Sequence, residues 1–199
     1  AFDSKLGYLT RCPTNLGTGL RAGVMLHLPI LTESGAMKNL IAAAGKLGFA
    51  VRGLYGEGTV AQGALYQISN QVTLGVTEEE IVSRLERVVT SILYQERGLR
   101  SRYLKEYSDQ IRDRVWRAAG ILATARILPL QEAMTLLSDV RLGLSCKILA
   151  GISMEELNTI LFEMQPNCMM AASGCFMNNL ERDQKRAGLV REIIGKAVK

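Results

Sequence analysis

The hydrophobic pattern of the chain changes at Thr77. Before this residue, short strand-like segments of mixed polarity are separated by glycine-rich turns, and one helical stretch interrupts them. From Thr77 onward, apolar residues recur at helical spacing, beginning with the capping box at 77–80. The change predicts an α+β protein, in which a mainly antiparallel sheet flanked by helices covers residues 1–76 and a helical region covers 77–199.

The helical stretch in the first part runs from about 35 to 47 and is followed by Gly48, a residue typical of the position after a helix end. Pro129 and Pro166 mark boundaries between the later helices. No low-complexity linker or internal repeat divides the chain, so we expect the helices to pack on the sheet as one compact unit. The predicted strands are 6–10, 20–28, 50–55 and 64–69, and the helices that follow the long one at Thr77 are 109–125, 130–137, 153–164 and 178–198.

The composition limits the classes of partner. The 24 Lys and Arg against 19 Asp and Glu give a formal charge of +5, which favours anionic partners such as nucleotides, phosphoproteins or nucleic acid. Nucleic acid is the least favoured, because the basic residues are dispersed among acidic ones and aromatic residues make up only 6% of the chain. Four cysteines without a CxxC pair and a single histidine predict no metal site.

Targeting signals are also missing from the sequence. No run approaches the roughly 18 apolar residues of a membrane span, and the first residues do not have the pattern of a signal peptide. We therefore expect a cytoplasmic protein without membrane contact, whose cysteines are reduced thiols. The chain begins at Ala1 without a methionine and a motif follows almost at once, which suggests a fragment of a longer protein.

Three segments of the first part combine arginine, glycine and small polar residues. They are CPTNLGTGLRA at 12–22, RGLYGEG at 52–58 and ISNQVTLG at 68–75. Glycines let backbone amides approach a phosphate closely, and the planar guanidinium of arginine matches phosphate oxygens. None of the segments is a Walker loop or a protein-kinase glycine loop, so the residues alone predict only an anion site.

Taken in this order, the three segments resemble the catalytic domain of the guanidino (phosphagen) kinases, the family of creatine and arginine kinases. CPTNLGTGLRA is similar to the family's active-site cysteine loop and the ATP-binding arginine that follows it. RGLYGEG resembles the segment with a second phosphate-binding arginine and a glutamate at the guanidine. The family signature SNxxxLG is met at 69–75.

The resemblance implies two catalytic residues. Glu57 would hold the acceptor guanidinium and act as, or assist, the base, while Cys12 would be a nearby thiolate that acts electrostatically. It also implies ATP with Mg²⁺ bridging its phosphate oxygens, and Arg21 and Arg52 on the phosphates. The implied nucleotide-binding residues are Arg21, Ala22, Gly23, Val24, Met25, Arg52, Gly53, Leu54, Tyr55, Gly56 and Glu57. Taken singly, these residues have ordinary explanations, a small buried hydrophobe for the cysteine and surface charges for the others.

The C-terminal helix carries a further motif. The sequence RDQKRA at 182–187 matches the RDxxRA motif with which the protein-arginine kinase branch of the family holds phosphoarginine at a regulatory pocket. Arg182 and Arg186 are four residues apart and share a helix face, where they could clasp a phosphate, while Asp183 could accept from the ligand guanidinium. The implied phosphoarginine-binding residues are Arg182, Asp183, Gln184, Lys185, Arg186 and Ala187. The alternative is an ordinary amphipathic helix whose apolar side is packed and whose charges are solvated.

The resemblance therefore implies an allosterically regulated protein-arginine kinase of the stress response, which marks proteins for Clp-type proteolysis and relieves heat-shock repression. The implied partners are substrate proteins with exposed arginines, an activator protein, a heat-shock repressor and a Clp-type protease, and a homodimer is left open. Family members have a further N-terminal helical domain and an earlier half of the sheet, so we expect the isolated chain to be inactive. The alternative from another class is a non-catalytic module that binds phosphoarginine.

Overall fold

The structure is a computed structural model that describes residues 2–10, 12, 15–53 and 61–197. The chain forms two compact units rather than the single one expected. The first unit comprises Ala1–Ala61 and Leu65–Arg102, and the second comprises Gln62–Ala64 and Tyr103–Lys199. The physical reason is that helices of the second unit bury their apolar faces against one another, so they do not need the sheet to form a core.

The first unit confirms the predicted antiparallel sheet. Its strands form a small hairpin of β1 (Phe2–Asp3) and β2 (Gly7–Tyr8) and a three-stranded sheet of β3 (Gly23–His27), β4 (Phe49–Gly53) and β5 (Leu65–Asn70). Its helices are α1 (Pro29–Glu33), α2 (Met37–Lys46) and the part of α3 (Glu78–Glu106) up to Arg102. β5 lies between β3 and β4 and is antiparallel to both. This strand order places β3 and β4, which are separated along the chain by α1 and α2, on either side of β5.

The two faces of the three-stranded sheet have different roles. Side chains alternate between the faces of a strand, and Leu26, Ile68 and Phe49 belong to the apolar core, together with residues of α2 and α3. The opposite face carries the cross-strand row of Met25, Gln67 and Arg52. The opposite face is partly open, since Met25 is 42% exposed, but Ser69 and Ala50 on the same face are buried.

The ends of α2 and α3 follow the sequence signals. Gly48, which follows α2, has a φ of +80°, a left-handed conformation that glycine adopts without strain. At the start of α3, the backbone N–H of Glu80 donates to the Thr77 hydroxyl over 3.2 Å, and the Thr77 N–H donates to the Glu80 carboxylate over 3.3 Å. The predicted capping box is confirmed.

Helix α1 was not predicted from the sequence. The carboxylate of Glu96 in α3, only 1% exposed, accepts hydrogen bonds from the backbone N–H groups of Ile30 and Leu31 over 3.2 and 2.9 Å. An N–H of Arg100 also donates to this carboxylate, over 3.2 Å. The first turn of α1 therefore obtains its acceptor from a residue far along the chain.

All secondary-structure elements described in the second unit are helices, joined by turns and loops. Its elements are α4 (Ser108–Thr124), α5 (Leu130–Ser145), α6 (Met154–Glu163), α7 (Pro166–Ser173) and α8 (Asn179–Ile194). α4 packs against both α5 and α8, and Val115, Val140 and Val190, one from each, are fully buried. Pro166 lies at a boundary between helices, as predicted, but the short helix α7 that begins with it was not predicted. Pro166 occupies the first turn of α7, where the missing N–H costs nothing. Within the described ranges, no helix combines the length and apolar character that crossing a membrane requires.

Candidate functional site

A cavity of about 430 Å³ lies in the first unit, next to the ends of the sheet strands. Two arginines predicted to bind phosphate, Arg21 and Arg52, both line it. The other described residues of its lining are Asn15, Gly19, Leu20, Asn70, Gln71 and Thr73. All three segments singled out in the sequence therefore contribute to one cavity, although they are far apart along the chain.

Arg21 is held by the sheet. Its Nε and Nη2 atoms both donate to the hydroxyl oxygen of Ser69, each over 3.3 Å. Ser69 lies in the central strand β5 and is 1% exposed, so the acceptor has a fixed place. The first residue of the SNxxxLG signature thus orients the side chain of a predicted phosphate-binding residue.

Asn70, the second residue of the signature, fixes the backbone around Arg21. Its Oδ1 accepts from the N–H of Ala22 over 2.8 Å, and its Nδ2 donates to the carbonyls of Leu20 and Val72 over 2.9 and 3.1 Å. The two residues that flank Arg21 are therefore bonded to the same side chain. A buried amide with this many partners restrains the loop strongly.

Thr73 attaches the cysteine-containing segment to the same scaffold. Its hydroxyl donates to the carbonyl of Leu16 over 2.5 Å, and its own carbonyl accepts from the N–H of Thr18 over 3.0 Å. Between these contacts, Gly17 has a φ of +90°, and a Cβ atom there would lie 2.1 Å from the Thr73 carbonyl oxygen. Any other residue at position 17 would collide with the backbone of Thr73. This close contact explains why the first glycine of CPTNLGTGLRA is a glycine.

Arg52 reaches the cavity from β4, where it is half-buried and stands opposite Gln67 of β5. The described lining of the cavity contains two guanidinium groups, neutral amides and a hydroxyl, and no carboxylate. The two guanidinium groups bring permanent positive charge to the cavity. Such a site favours a ligand with several negative charges over a neutral one.

Of the two predicted catalytic residues, the structure describes Cys12 but not Glu57. Cys12 is an exposed thiol, and its backbone is held in a turn in which its carbonyl accepts from the N–H of Asn15 over 3.0 Å and from the Thr10 hydroxyl over 3.1 Å. It lies three positions before Asn15 of the cavity lining in the sequence. Leu54, Tyr55, Gly56 and Glu57 lie outside the described residues, so the catalytic roles of Cys12 and Glu57 stay predictions.

The other predicted nucleotide-binding residues divide between the two faces of the sheet. Val24 packs against the apolar core, whereas Met25 is 42% exposed on the opposite face, as alternation requires. Gly23 stands opposite Ser69 in β5, and Gly53 is buried at the end of β4. Ala22 contributes through its backbone N–H, as described above. Met25 and Gly23 thus share the face of Arg52.

In the second unit, the side chain of Arg186 is buried rather than presented on an exposed helix face. Arg186 is 1% exposed. Its Nε donates to the carbonyl of Met164 over 3.1 Å, and its Nη1 donates to the carbonyl of Leu128 over 2.8 Å. Nη1 also forms an ion pair with the carboxylate of Asp183, 2.5 Å away. The N–H of Leu128 in turn donates to the Asp183 carbonyl. The guanidinium of Arg186 is therefore committed to protein acceptors.

The rest of the RDxxRA motif is closer to solvent, except for Ala187, which is buried. Arg182 is partly exposed and donates to the Asn179 side chain, and the exposed Lys185 donates to the Ser173 hydroxyl. Gln184 is exposed. The structure does not bring the guanidinium groups of Arg182 and Arg186 together on one open surface. The phosphoarginine-binding role of residues 182–187 stays a prediction.

The sequence as a whole matches two known domains in succession. Residues 1–99 match the family ATP:guanido phosphotransferase, C-terminal catalytic domain, and residues 108–199 match the protein-arginine kinase McsB C-terminal domain. The chain belongs to the guanidino kinase family. The second match confirms the branch of the family that the RDxxRA motif indicated.

Three relatives in the protein-arginine kinase branch show how far the similarity extends. The protein-arginine kinase of Moorella thermoacetica is 50% identical over 98% of this chain and 55% of its own length. Those of Symbiobacterium thermophilum and Caldanaerobacter subterraneus are 50% and 48% identical, over 54% and 58% of their lengths. The chain spans about half the length of the curated relatives that it matches. Among solved structures, the substrate-free duplicated taurocyamine kinase from Schistosoma mansoni matches with a TM-score of 0.38 and 31% identity, over 68% of this chain and 19% of that one.

Six lining residues of the cavity were not assigned a binding role from the sequence. All six lie within segments that the sequence had singled out, and they are Asn15, Gly19, Leu20, Asn70, Gln71 and Thr73. The signal that could have found them is the pairing of small polar residues with glycine at the predicted loop ends. The distances between the segments, however, depend on the strand order.

Proposed function

We propose that the whole protein is a protein-arginine kinase, which transfers the γ-phosphate of ATP to arginine side chains of other proteins, and that the first unit supplies part of its nucleotide site. The observation that carries the proposal is the cavity that Arg21 and Arg52 line together. The identity of about 50% to protein-arginine kinases over nearly the whole chain supports it.

The cavity suits the polyphosphate of ATP. Its volume of about 430 Å³ is in the range of small-molecule sites, and its described charged groups are the two guanidinium groups. When bound, Mg²⁺ would supply positive charge that neutralises part of the charge of the phosphates. The described lining offers no carboxylate to this ion, so we assign no protein ligand to it.

The chemistry requires alignment and charge neutralisation more than covalent help. A nitrogen of the substrate arginine attacks the γ-phosphorus, the P–O bond to the leaving ADP breaks, and the nitrogen loses a proton. In the proposed mechanism Glu57 holds the guanidinium and accepts or assists the transfer of that proton, because arginine is otherwise too firmly protonated to attack. Cys12 as a thiolate would add negative charge beside the substrate cation.

Arg21 and Arg52 are proposed to bind the phosphates and stabilise the charge on the moving phosphoryl group. The stretches 21–25 and 52–57 would form much of the surrounding nucleotide site. Ser69 and the register of β4 with β5 support the two arginines, so the cation pair is positioned before any ligand arrives. Such preorganisation is the main way in which fixed charges accelerate phosphoryl transfer.

For the second unit we propose regulation through phosphoarginine, bound by residues of the 182–187 motif. The match of residues 108–199 to the C-terminal domain of protein-arginine kinase McsB supports this role. The activator protein, the heat-shock repressor, the Clp-type protease, a homodimer and a cytoplasmic place in the stress response belong to the same proposal. The second candidate function is a non-catalytic phosphoarginine-binding module, which the compact second unit favours, since it contains the whole motif.

The test is incubation of the full-length protein with ATP, Mg²⁺ and a casein-like substrate, followed by mass spectrometry for phosphorylated arginine. The samples must be kept near neutral pH, because the P–N bond hydrolyses in acid. Phosphoarginine should appear on the substrate with ATP and not without it. If titration with phosphoarginine gives binding while no substrate arginine is ever phosphorylated, the binding module replaces the kinase.

A further inference from the structure

The five N–H groups of Arg21 are divided between the protein and the cavity. A guanidinium side chain has one N–H on Nε and two on each terminal nitrogen. The hydroxyl oxygen of Ser69 accepts hydrogen bonds from the Nε–H and from one N–H of Nη2, each over 3.3 Å. No described residue engages the other three N–H groups, which belong to the Nη1 and Nη2 end of a side chain that lines the cavity.

The acceptor of this contact cannot move easily. Ser69 is 1% exposed in the central strand and stands between Gly23 of β3 and Ala50 of β4. A Cβ atom at Gly23 would lie only 3.3 Å from the Cβ of Ser69, so the neighbouring strand passes close to it. Asn70 holds the backbone on both sides of Arg21 at the same time. Both ends of the hydrogen-bonded pair are therefore fixed by the sheet.

We propose that Ser69 is a positioning residue, which occupies the Nε edge of Arg21 and presets the Nη1–Nη2 end for a phosphate of the nucleotide. The inference rests on the proposed function, since it assigns the manner in which the ATP site engages one phosphate. A long arginine side chain loses rotamer freedom when it binds a ligand, and prior fixation removes part of this cost. The arrangement also explains a need for arginine, because the ammonium of lysine is a point charge and lacks the planar fork with two separate edges.

The test is isothermal titration of ATP and of adenosine into the full-length protein and its Ser69→Ala variant. The loss of prior fixation should weaken ATP binding by about threefold to tenfold and leave adenosine binding unchanged, because adenosine has no phosphate for Arg21. A merely structural role would affect both ligands. Ser34→Ala is the matched control, because it removes a hydroxyl that donates to the carbonyl of Leu31 in α1, and it should change neither affinity.

A double-mutant cycle with Arg21→Ala decides whether Ser69 acts through this arginine. In the Arg21→Ala background, Ser69→Ala should have no further effect on ATP binding. An equal loss in both backgrounds would overturn the inference while leaving the proposed nucleotide site intact. Failure of the unmodified protein to bind ATP would instead reject the proposed function itself.

Folding of the variants is checked by thermal unfolding. If Ser69→Ala does not fold, Ser69→Cys provides the second test, because it fills the position with a somewhat larger side chain and replaces the hydroxyl by a weak acceptor. It too should weaken ATP binding and spare adenosine. An affinity of Ser69→Cys for ATP equal to that of the unmodified protein would overturn the inference.

Discussion

Replacing Arg186 by alanine should destabilise the second unit severely. The guanidinium is buried and donates to two backbone carbonyls and to the carboxylate of Asp183. Its removal leaves these acceptors without a donor and opens a cavity in the core. Breaking a buried ion pair from one side typically costs about 3–5 kcal/mol, which is a large part of the roughly 5–15 kcal/mol that stabilises a domain.

The measurement is urea unfolding followed by the fluorescence of Trp116, the single tryptophan, which lies in α4 of the second unit. For a urea dependence of about 1–3 kcal/mol per molar, the unfolding midpoint should fall by more than about 1 M. Arg182→Ala is the matched control on the same helix. Because Arg182 is partly exposed, its replacement should change the free energy of unfolding by no more than about 0.5 kcal/mol.

Arg186→Lys separates charge from geometry. Lysine retains the positive charge but not the planar fork that reaches three acceptors, so it should recover only part of the lost stability. Equal midpoints for Arg186→Ala and Arg182→Ala would refute the structural role argued for Arg186. The result also decides how phosphoarginine binding should be tested, since Arg182→Ala can report a lost ligand contact without unfolding the helix.

Three further predictions concern separate parts of the chain. Glu57→Gln in the full-length protein should retain ATP affinity in titration calorimetry and lose transfer by several orders of magnitude, since it removes the charge that we propose positions the guanidinium; near-normal turnover would reject the assignment. Gly17→Ala should weaken ATP binding and lower the melting temperature, because the added Cβ would overlap the carbonyl oxygen that the glycine approaches; an unchanged melting temperature would contradict this contact. The backbone N–H of Ser153 and the ammonium of Lys196 lower the pKa of Glu156 to about 2 from 4.5. The stability from this carboxylate should be complete above about pH 4.5 and lost as the pH falls through about 2, and Glu156→Gln should remove that part of the acid sensitivity in unfolding experiments.

The sequence determined the local structure where the signals are local. The capping box at Thr77, the glycine after α2 and the helical spacing beyond residue 77 each depend on neighbouring residues, and the structure confirms them. The family was also accessible from the sequence, because three short motifs in a fixed order are rare by chance, and the comparisons confirm it.

Only the tertiary structure decided where the side chains predicted to be functional meet and which of them are buried. Arg21 and Arg52 share a cavity because β5 lies between the strands that carry or adjoin them, and no local pattern specifies that strand order. Helical spacing placed Arg182 and Arg186 on neighbouring positions of one helix, but it could not tell that Arg186 faces inward. Arg186 can be buried because the carbonyls of Leu128 and Met164, which lie far from it along the chain, accept hydrogen bonds from its guanidinium. Without these acceptors, the charged group would have to remain in water.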